Sequence, residues 1–265
     1  LLIVLLTVGI LGGGLLILAY QLHFGLGLLV ESAMLATTLS QKGLKAAATA
    51  VYAPLSKDNL IAARQQLSYI VGRDTENLNE EGITRATVET VAENTTDGIT
   101  APIFWAAIGG GLGALIYRAI NTCDSMVAYH NEKYENFGWA SAKLDDLVNY
   151  LPARLTGYLM LQTRKRYRVR KNISFNHLKK EANKHPSPNS GWTEAATALL
   201  LGVKLGGNNY YQGVRFEANQ IGKARKSLEK DDIIRAVDIM EITNLLFLFT
   251  IILGVFLYVF AQTWF

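Results

Sequence analysis

Cysteine occurs once in the 265 residues, at Cys123, which excludes an internal disulfide framework and a cysteine-rich zinc site. The four histidines, His23, His130, His177 and His185, fit no metal-ligand spacing. There is no G-x-x-x-x-G-K-[ST], no Rossmann fingerprint, no H-E-x-x-H and no EF-hand loop, and no Ser–His–Asp arrangement stands out. Internal repeats and low-complexity tracts are absent. No stretch shows convincing strand alternation, so the expected class is all-α. Most informative is where charge is missing. Residues 1–20 and 242–265 contain none at all.

A helix crossing a bilayer needs roughly 20 apolar residues. Spans are therefore expected near 1–20 and 242–265. A third is expected at 99–117, and 147–163 is a weaker fourth because Arg154 interrupts it. The reading is a polytopic integral membrane protein of three to five spans with amphipathic, water-facing helices. A signal peptide at 1–20 fits poorly: there is no basic leading region and no small-x-small site before "QLHFG". An upstream piece is expected, because the sequence begins without Met. A soluble protein with buried helices is disfavoured by the uncharged C-terminus, whose Tyr258 and Trp264 suit a membrane interface.

Positive charge is concentrated. Residues 164–184 carry nine Lys/Arg against one Glu, a net of +8, so the rest of a +4 chain carries −4. By the positive-inside rule this segment is expected on the cytoplasmic side, touching anionic lipid. Aromatic residues are sparse there and no nucleic-acid motif appears, so no nucleic-acid partner is expected.

Along the chain, "LGLLVESAMLATTLSQKGLKAAATAVYAPL" reads as one long helix and "DNLIAARQQLSYIV" as an amphipathic one. Asn79 is an expected N-cap for a helix over 80–96, which Gly98 should stop, with Pro102 in the first turn of the next. Pro152 starts another helix. "NKHPSPNSG" and "KLGGNNYYQG" read as loops, and 214–235 as a short amphipathic helix pair.

Glu89, Glu93 and Asp97 stand four residues apart, with Arg85 four before them. A four-residue step turns about 40° on a helix, so all four share one face. Like charges at that spacing repel. A divalent cation such as Mg²⁺ would offset the repulsion, and a solvated acidic stripe is the alternative. The N-terminus expected near Thr100 would attract anions to the same place. A second polar group follows the apolar segment: Arg118, Asn121, Thr122, Ser125 and Tyr129 on one face with Asp124 beside them, then Asp145, Asp146, Asn149 and Arg154. Arg73 and Asp74 precede the carboxylate helix. Charged groups next to apolar helices mark either a site or a buried pair. In "HPSPNSGWTEAA", Ser187, Asn189, Ser190 and the N–H groups opening the next helix would cradle an oxyanion, although a capped helix start explains the pattern equally well. Gly109 and Gly113 read as close helix packing.

"IVGRDT", "RATVETVAENTTDGITAPIFW", "GALIYRAINTCDSMVAYHNEKYENFGWASAKLDDLVNYLPARLTG", "HPSPNSGWTEAA" and "LGGNNYYQG" together resemble the CobD/CbiB cobalamin-biosynthesis proteins over roughly 65–213. Cys123 and Ala128 depart mildly from the family pattern. The family normally carries Gly-Asp-Pro and His-Pro motifs ahead of its first apolar run, and this sequence starts within that run, so that segment's contribution is expected to be missing. The resemblance implies an inner-membrane adenosylcobinamide-phosphate synthase, an ATP- and Mg²⁺-dependent ligase. Such an enzyme joins aminopropanol, or its O-phosphate, to a propionate carboxyl of adenosylcobyric acid. A complex with other late cobalamin-assembly enzymes is expected with it. On that reading Glu89, Glu93 and Asp97 form the metal and base group, with Asp124 as a further catalytic candidate. Arg73, Asp74, Arg85, Arg118, Asn121, Asp146, Asn149, Arg154, His185, Ser187, Asn189, Asn208, Asn209 and Tyr210 are the expected substrate contacts. The rival readings are a corrinoid-binding or transport protein without turnover, and a membrane scaffold.

Overall fold

A computed structural model describes residues 1–127, 138–163 and 173–264. Tyr129, His130 and the basic run at 164–172 lie outside the described residues. The elements are α1 (Leu2–Leu22), α2 (Phe24–Thr38), α3 (Gln41–Leu55), α4 (Leu60–Ser68), α5 (Glu80–Thr95), α6 (Ala101–Val127), α7 (Trp139–Val148), α8 (Tyr150–Gln162), α9 (Phe175–Ala182), α10 (Ser190–Leu201), β1 (Leu205–Tyr211), β2 (Val214–Ile221) and α11 (Asp232–Trp264). Helix dominates, as the sequence predicts. Leu2–Leu22, the continuous helical stretch Glu80–Met126 and Asp232–Thr263 are each long and apolar enough to cross a membrane. The weaker candidate at 147–163 is not such a helix. It is split between α7 and α8, and the 13 residues of α8 reach only about 20 Å against the ~30 Å of a hydrocarbon core.

The fold divides into two compact units: Leu1–Ser40, Asp97–Pro152 and Phe247–Phe265 form the first, Gln41–Thr96 and Ala153–Leu246 the second. In the first unit α1 and α2 make a helical hairpin against α6. His23 ends α1 and caps α2, accepting from the Gly25 N–H at 3.0 Å. Gly12 lets α1 approach Leu112 and Leu115 of α6. The helix expected to run unbroken from Leu26 into residue 55 instead breaks at Leu39–Ser40. There the Ser40 N–H and hydroxyl both donate to the Gly98 carbonyl, at 2.9 and 3.0 Å.

Gly98 does not stop the carboxylate helix. Asn79 caps α5 as expected, accepting from the Gly82 N–H at 2.9 Å, but α5 continues through a π-helical turn, Thr96–Thr100, straight into α6. The wider turn tolerates Pro102, and Ser40 takes up the Gly98 carbonyl it leaves over. No helix N-terminus therefore exists near Thr100, and the anion site expected there is not formed. The real break in this segment lies further on. Gly109 and Gly110 leave helical geometry, and Gly110 has φ 62° and ψ −160°, a conformation that strongly favours glycine. Glu31, the one charged residue of α2, fills the gap: its Oε1 accepts from the Gly111 N–H at 3.0 Å and its Oε2 from the Tyr20 hydroxyl at 2.6 Å. A backbone N–H without a partner inside a bilayer is costly. Glu31→Leu should therefore lower stability by about 1–3 kcal/mol, whereas Glu31→Gln, which still accepts from Gly111, should stay within about 1 kcal/mol of the parent. Unfolding midpoints in nanodiscs measure the difference.

The second unit is organised around α10. Every residue from Gly191 to Leu201 is buried. α5, α9 and the β-hairpin pack on it. Gly157 of α8 allows the Trp192 backbone to come close. The hairpin is the departure from an all-helical second unit. Leu205–Tyr211, within "KLGGNNYYQG", pairs antiparallel with Val214–Ile221, so these residues are not a loop followed by a helix. The two-residue turn Gln212–Gly213 has φ of 51° and 79°, the positive values a tight hairpin turn demands. At the start of α11, buried Asp232 is held by Lys226 and Arg235, each at 2.7 Å.

Candidate functional site

The second unit gathers carboxylates from α5 and α10 with arginines from the flanking segments. Glu89 is 4% exposed, and both of its oxygens are occupied. Oε2 pairs with Arg73 Nη1 at 2.7 Å and Oε1 accepts from the Gly206 N–H at 2.7 Å. Arg85 lies 3.9 Å away and donates to the carbonyls of Gly206 (2.7 Å) and Asn208 (3.0 Å). These carbonyls turn toward Arg85 because the hairpin register shifts between Gly206 and Asn208. Gly206 (φ 76°) and Gly207 (φ 93°) supply the backbone freedom for that bulge. Asn209 Oδ1 then accepts from both Arg73 (2.9 Å) and Arg85 (3.2 Å). Asp74 closes the other end of the hairpin, accepting from the Gln212 and Gly213 N–H groups.

Glu93, one helical turn beyond Glu89, is half-buried and accepts from the Ser190 hydroxyl at 2.9 Å. Ser190 opens α10, and four residues later that helix carries Glu194, its one charged side chain, 5% exposed. Glu194 Oε1 lies 3.3 Å from His185 Nε2. His185 Nδ1 lies 2.9 Å from the Ser187 N–H and 3.3 Å from the Ser187 carbonyl, and Nε2 faces Glu194. Burial pushes the Glu194 carboxyl up to about 7; the His185 hydrogen bond works against this, and the charges of Glu89 and Glu93 add to it. Burial also disfavours the charged imidazole of His185, but the hydrogen bond and charge of Glu194 outweigh it and raise its pKa.

The "HPSPNS" loop folds back on itself. The Ser187 hydroxyl accepts from the Asn189 and Ser190 N–H groups, each at 3.2 Å, so the N–H groups expected to cradle an oxyanion are already capped. Asn189 turns its side chain to Arg154 at 3.1 Å instead, and the Arg154 guanidinium lies over the Trp192 ring, 5.1 Å from its centroid.

The residues do not fit a protein-held Mg²⁺. Both Glu89 oxygens already have cationic or N–H partners. Among the described residues no three or more His, Cys, Asp or Glu side chains are grouped to hold a metal ion. Asp97 belongs to the first unit, in the π turn, where the Tyr117 hydroxyl lies 3.3 Å from its carbonyl.

The first unit holds a second polar network. Asp145 accepts from Asn121 Nδ2 at 3.2 Å and from Asn149 Nδ2 at 3.0 Å, and Tyr117 donates to Asn149 Oδ1 at 2.9 Å. Arg118 reaches Asn121 Oδ1 at 3.2 Å. Asp124 and Asp146 are half-exposed.

Comparison with known proteins decides the family. The model of the CobD/CbiB protein family matches residues 1–240. The chain belongs to the CobD/CbiB family. It is 54% identical over 260 residues to "Cobalamin biosynthesis protein CobD" of Halalkalibacterium halodurans, covering 97% of this chain and 82% of that protein. It is 47% identical over 233 residues to the CobD of Clostridium perfringens (88% and 74%). To "Cobalamin biosynthesis protein CbiB" of Salmonella typhimurium it is 44% identical over 233 residues (88% and 73%). No solved structure matches.

For this CobD/CbiB chain, the structure brings Arg73, Arg85, Glu89, Asn208 and Asn209 into one hydrogen-bonded group and Glu93, His185, Ser187, Ser190 and Glu194 into another, both in the second unit. Arg118, Asn121, Asp145 and Asn149 form a separate network in the first. Asp74 serves the hairpin turn, and Tyr210 is largely exposed. Glu194 is the residue that sequence reasoning missed. The signal was present: a lone acid in the uncharged run "GWTEAATALLL", where a buried carboxylate needs a partner.

Proposed function

We propose that this CobD/CbiB protein is the ligase that forms the aminopropanol amide of adenosylcobyric acid, at the membrane and with its basic segment on the cytoplasmic side. The observation that supports the reading is the buried His185–Glu194 pair beside Glu93, in a chain that belongs to a cobalamin-biosynthesis family. A carboxylate does not condense with an amine in water. Phosphoryl transfer from ATP to the corrinoid propionate gives an acyl phosphate and ADP. The nitrogen of aminopropanol, or of its O-phosphate, attacks the acyl carbon, the C–O bond breaks, and phosphate leaves. The attacking nitrogen must lose its ammonium proton first, and on this reading the His185–Glu194 pair is the base that receives it. Arg154, planar and held by Asn189 and Trp192, suits a phosphate or propionate group.

The test is turnover in nanodiscs. Adenosylcobyric acid, ATP and aminopropanol O-phosphate should yield adenosylcobinamide phosphate and ADP in equal amounts, as read by mass spectrometry and a coupled ADP assay. Corrinoid binding without ATP-dependent product would overturn the ligase reading and favour a carrier.

A further inference from the structure

A cleft of about 450 Å³ opens in the second unit, between the first turns of α5, the base of the hairpin and the segment 224–228. Its charged lining is Arg85, Lys204, Arg225 and Lys226 against one carboxylate, Glu81. Lys226 is already neutralised by Asp232 at 2.7 Å. Arg85 spreads its guanidinium over backbone carbonyls, which do not cancel its charge, with Glu89 no closer than 3.9 Å. Among the described residues Lys204 has only the neutral Gln220 amide, at 3.0 Å. Among the described residues the Arg225 side chain has no hydrogen-bond or ion-pair partner; its backbone N–H is tied to the Gly202 carbonyl at 2.8 Å, which fixes the base of the side chain at the rim. The Ser227 hydroxyl and the Gln220 amide add neutral donors. No aromatic residue lines the cleft, and its aliphatic residues are only Ala224 and Leu228.

We propose that this cleft binds a phosphate group, with Lys204 and Arg225 as the principal cationic contacts, Arg85 at the back wall and Ser227 as a neutral donor. The volume is of ligand size, since pockets for small molecules begin near 300 Å³. Uncompensated positive charge facing a concave surface attracts an anion, and a guanidinium with an ammonium matches phosphate oxygens better than a single carboxylate. Without aromatic or extended apolar lining, neither a nucleobase nor a corrin ring is held here; the phosphate itself is what the cleft recognises. The group can arrive on a soluble phosphate compound or on an anionic lipid headgroup. The back wall gives the cleft a link to the carboxylate cluster, because Arg85 and Gly206 line it and also hold Glu89. The cleft would bind phosphate whether or not amide formation is the reaction, so its failure and that of the ligase reading are separable.

The experiment uses the whole chain in phosphatidylcholine nanodiscs, titrated with tripolyphosphate by calorimetry, and compares unfolding midpoints with and without phosphatidylglycerol in the discs. The variant is Lys204→Gln/Arg225→Gln, both exposed positions whose loss should leave the unfolding midpoint in neutral lipid unchanged. Lys179→Gln, outside the cleft, controls for net charge. If the source is soluble, the parent binds tripolyphosphate, salt weakens the binding, and the double variant binds roughly tenfold more weakly or worse. If the source is lipid, phosphatidylglycerol raises the parent's midpoint and the double variant loses that rise. The proposal is overturned if the parent responds to neither probe, or if the double variant responds to both as the parent does.

Discussion

If the proposed ligase reading holds, replacing Glu194 with glutamine should lower the rate of ATP-dependent amide formation by about 10²–10⁴-fold, the usual contribution of a positioned base, and leave the protein folded. Glutamine has the shape of the carboxylic acid and still accepts the hydrogen bond from His185 Nε2 across the 3.3 Å contact. What it cannot do is take up a proton. The burial that pushes the glutamate up to about 7 makes its charged form costly, so a neutral amide should hold stability constant or raise it slightly. That separation of rate from stability distinguishes a reacting carboxylate from a packing one. His185→Gln should reduce the rate less, since Glu194 remains, and should raise the pH at which the remaining base works because its hydrogen-bond donor has changed. A Glu194→Gln protein with the parental rate would remove the pair from the chemistry.

Glu89→Ala should have the largest effect on stability, about 3–5 kcal/mol, because it strands a buried cation. Arg73 loses its 2.7 Å partner, the Gly206 N–H loses its acceptor, and Arg85 loses its nearest negative charge. The hairpin should loosen with it, since Glu89 and the two arginines are what hold the bulge at Gly206–Asn208 onto α5. Glu89→Gln keeps an acceptor and should fall between the parent and the alanine variant. Glu89→Ala/Arg73→Met removes both charges together and should recover part of the loss, which a double-mutant cycle of unfolding midpoints in nanodiscs reads directly. The structure casts Glu89 as an anchor. Unchanged stability in Glu89→Ala, with a raised Mg²⁺ requirement for turnover, would return it to the metal role that the family resemblance implied.

The long apolar helices were legible because a bilayer imposes length and hydropathy that few other environments do. So was α5 with its Asn79 cap, and so was the grouping of Glu89 with Arg85. The π turn at Thr96–Thr100 was not, because Gly98 and Pro102 are local stop signals that a tertiary contact from Ser40 overrides. The hairpin was hidden for a related reason. β1 is "LGGNNYY" and β2 exposes nearly every side chain, so no period-2 apolar pattern exists to find. It is tied down by Glu89, Arg73, Arg85 and Asp74, residues distant in sequence, and by the buried Leu205 and Ile221 at its base. The four-residue rule placed Glu89, Glu93 and Asp97 on one helical face, but a π turn does not keep that phase, and Arg73 and Gly206 were invisible partners. Glu31 passed unnoticed because its partner, the Gly111 N–H freed by the break at Gly109–Gly110, is not visible in the sequence.

The most direct measurement is the pH dependence of kcat/KM for amide formation, in parent and Glu194→Gln proteins. The base acts only after losing its proton, so the parental profile should rise with pH through about 7, the value to which burial moves the carboxyl. The Glu194→Gln profile should lie far below it and lack that rise. If the rise near neutrality persists in the variant at the same midpoint, the proton is taken by another group and the buried pair on α10 is not the base.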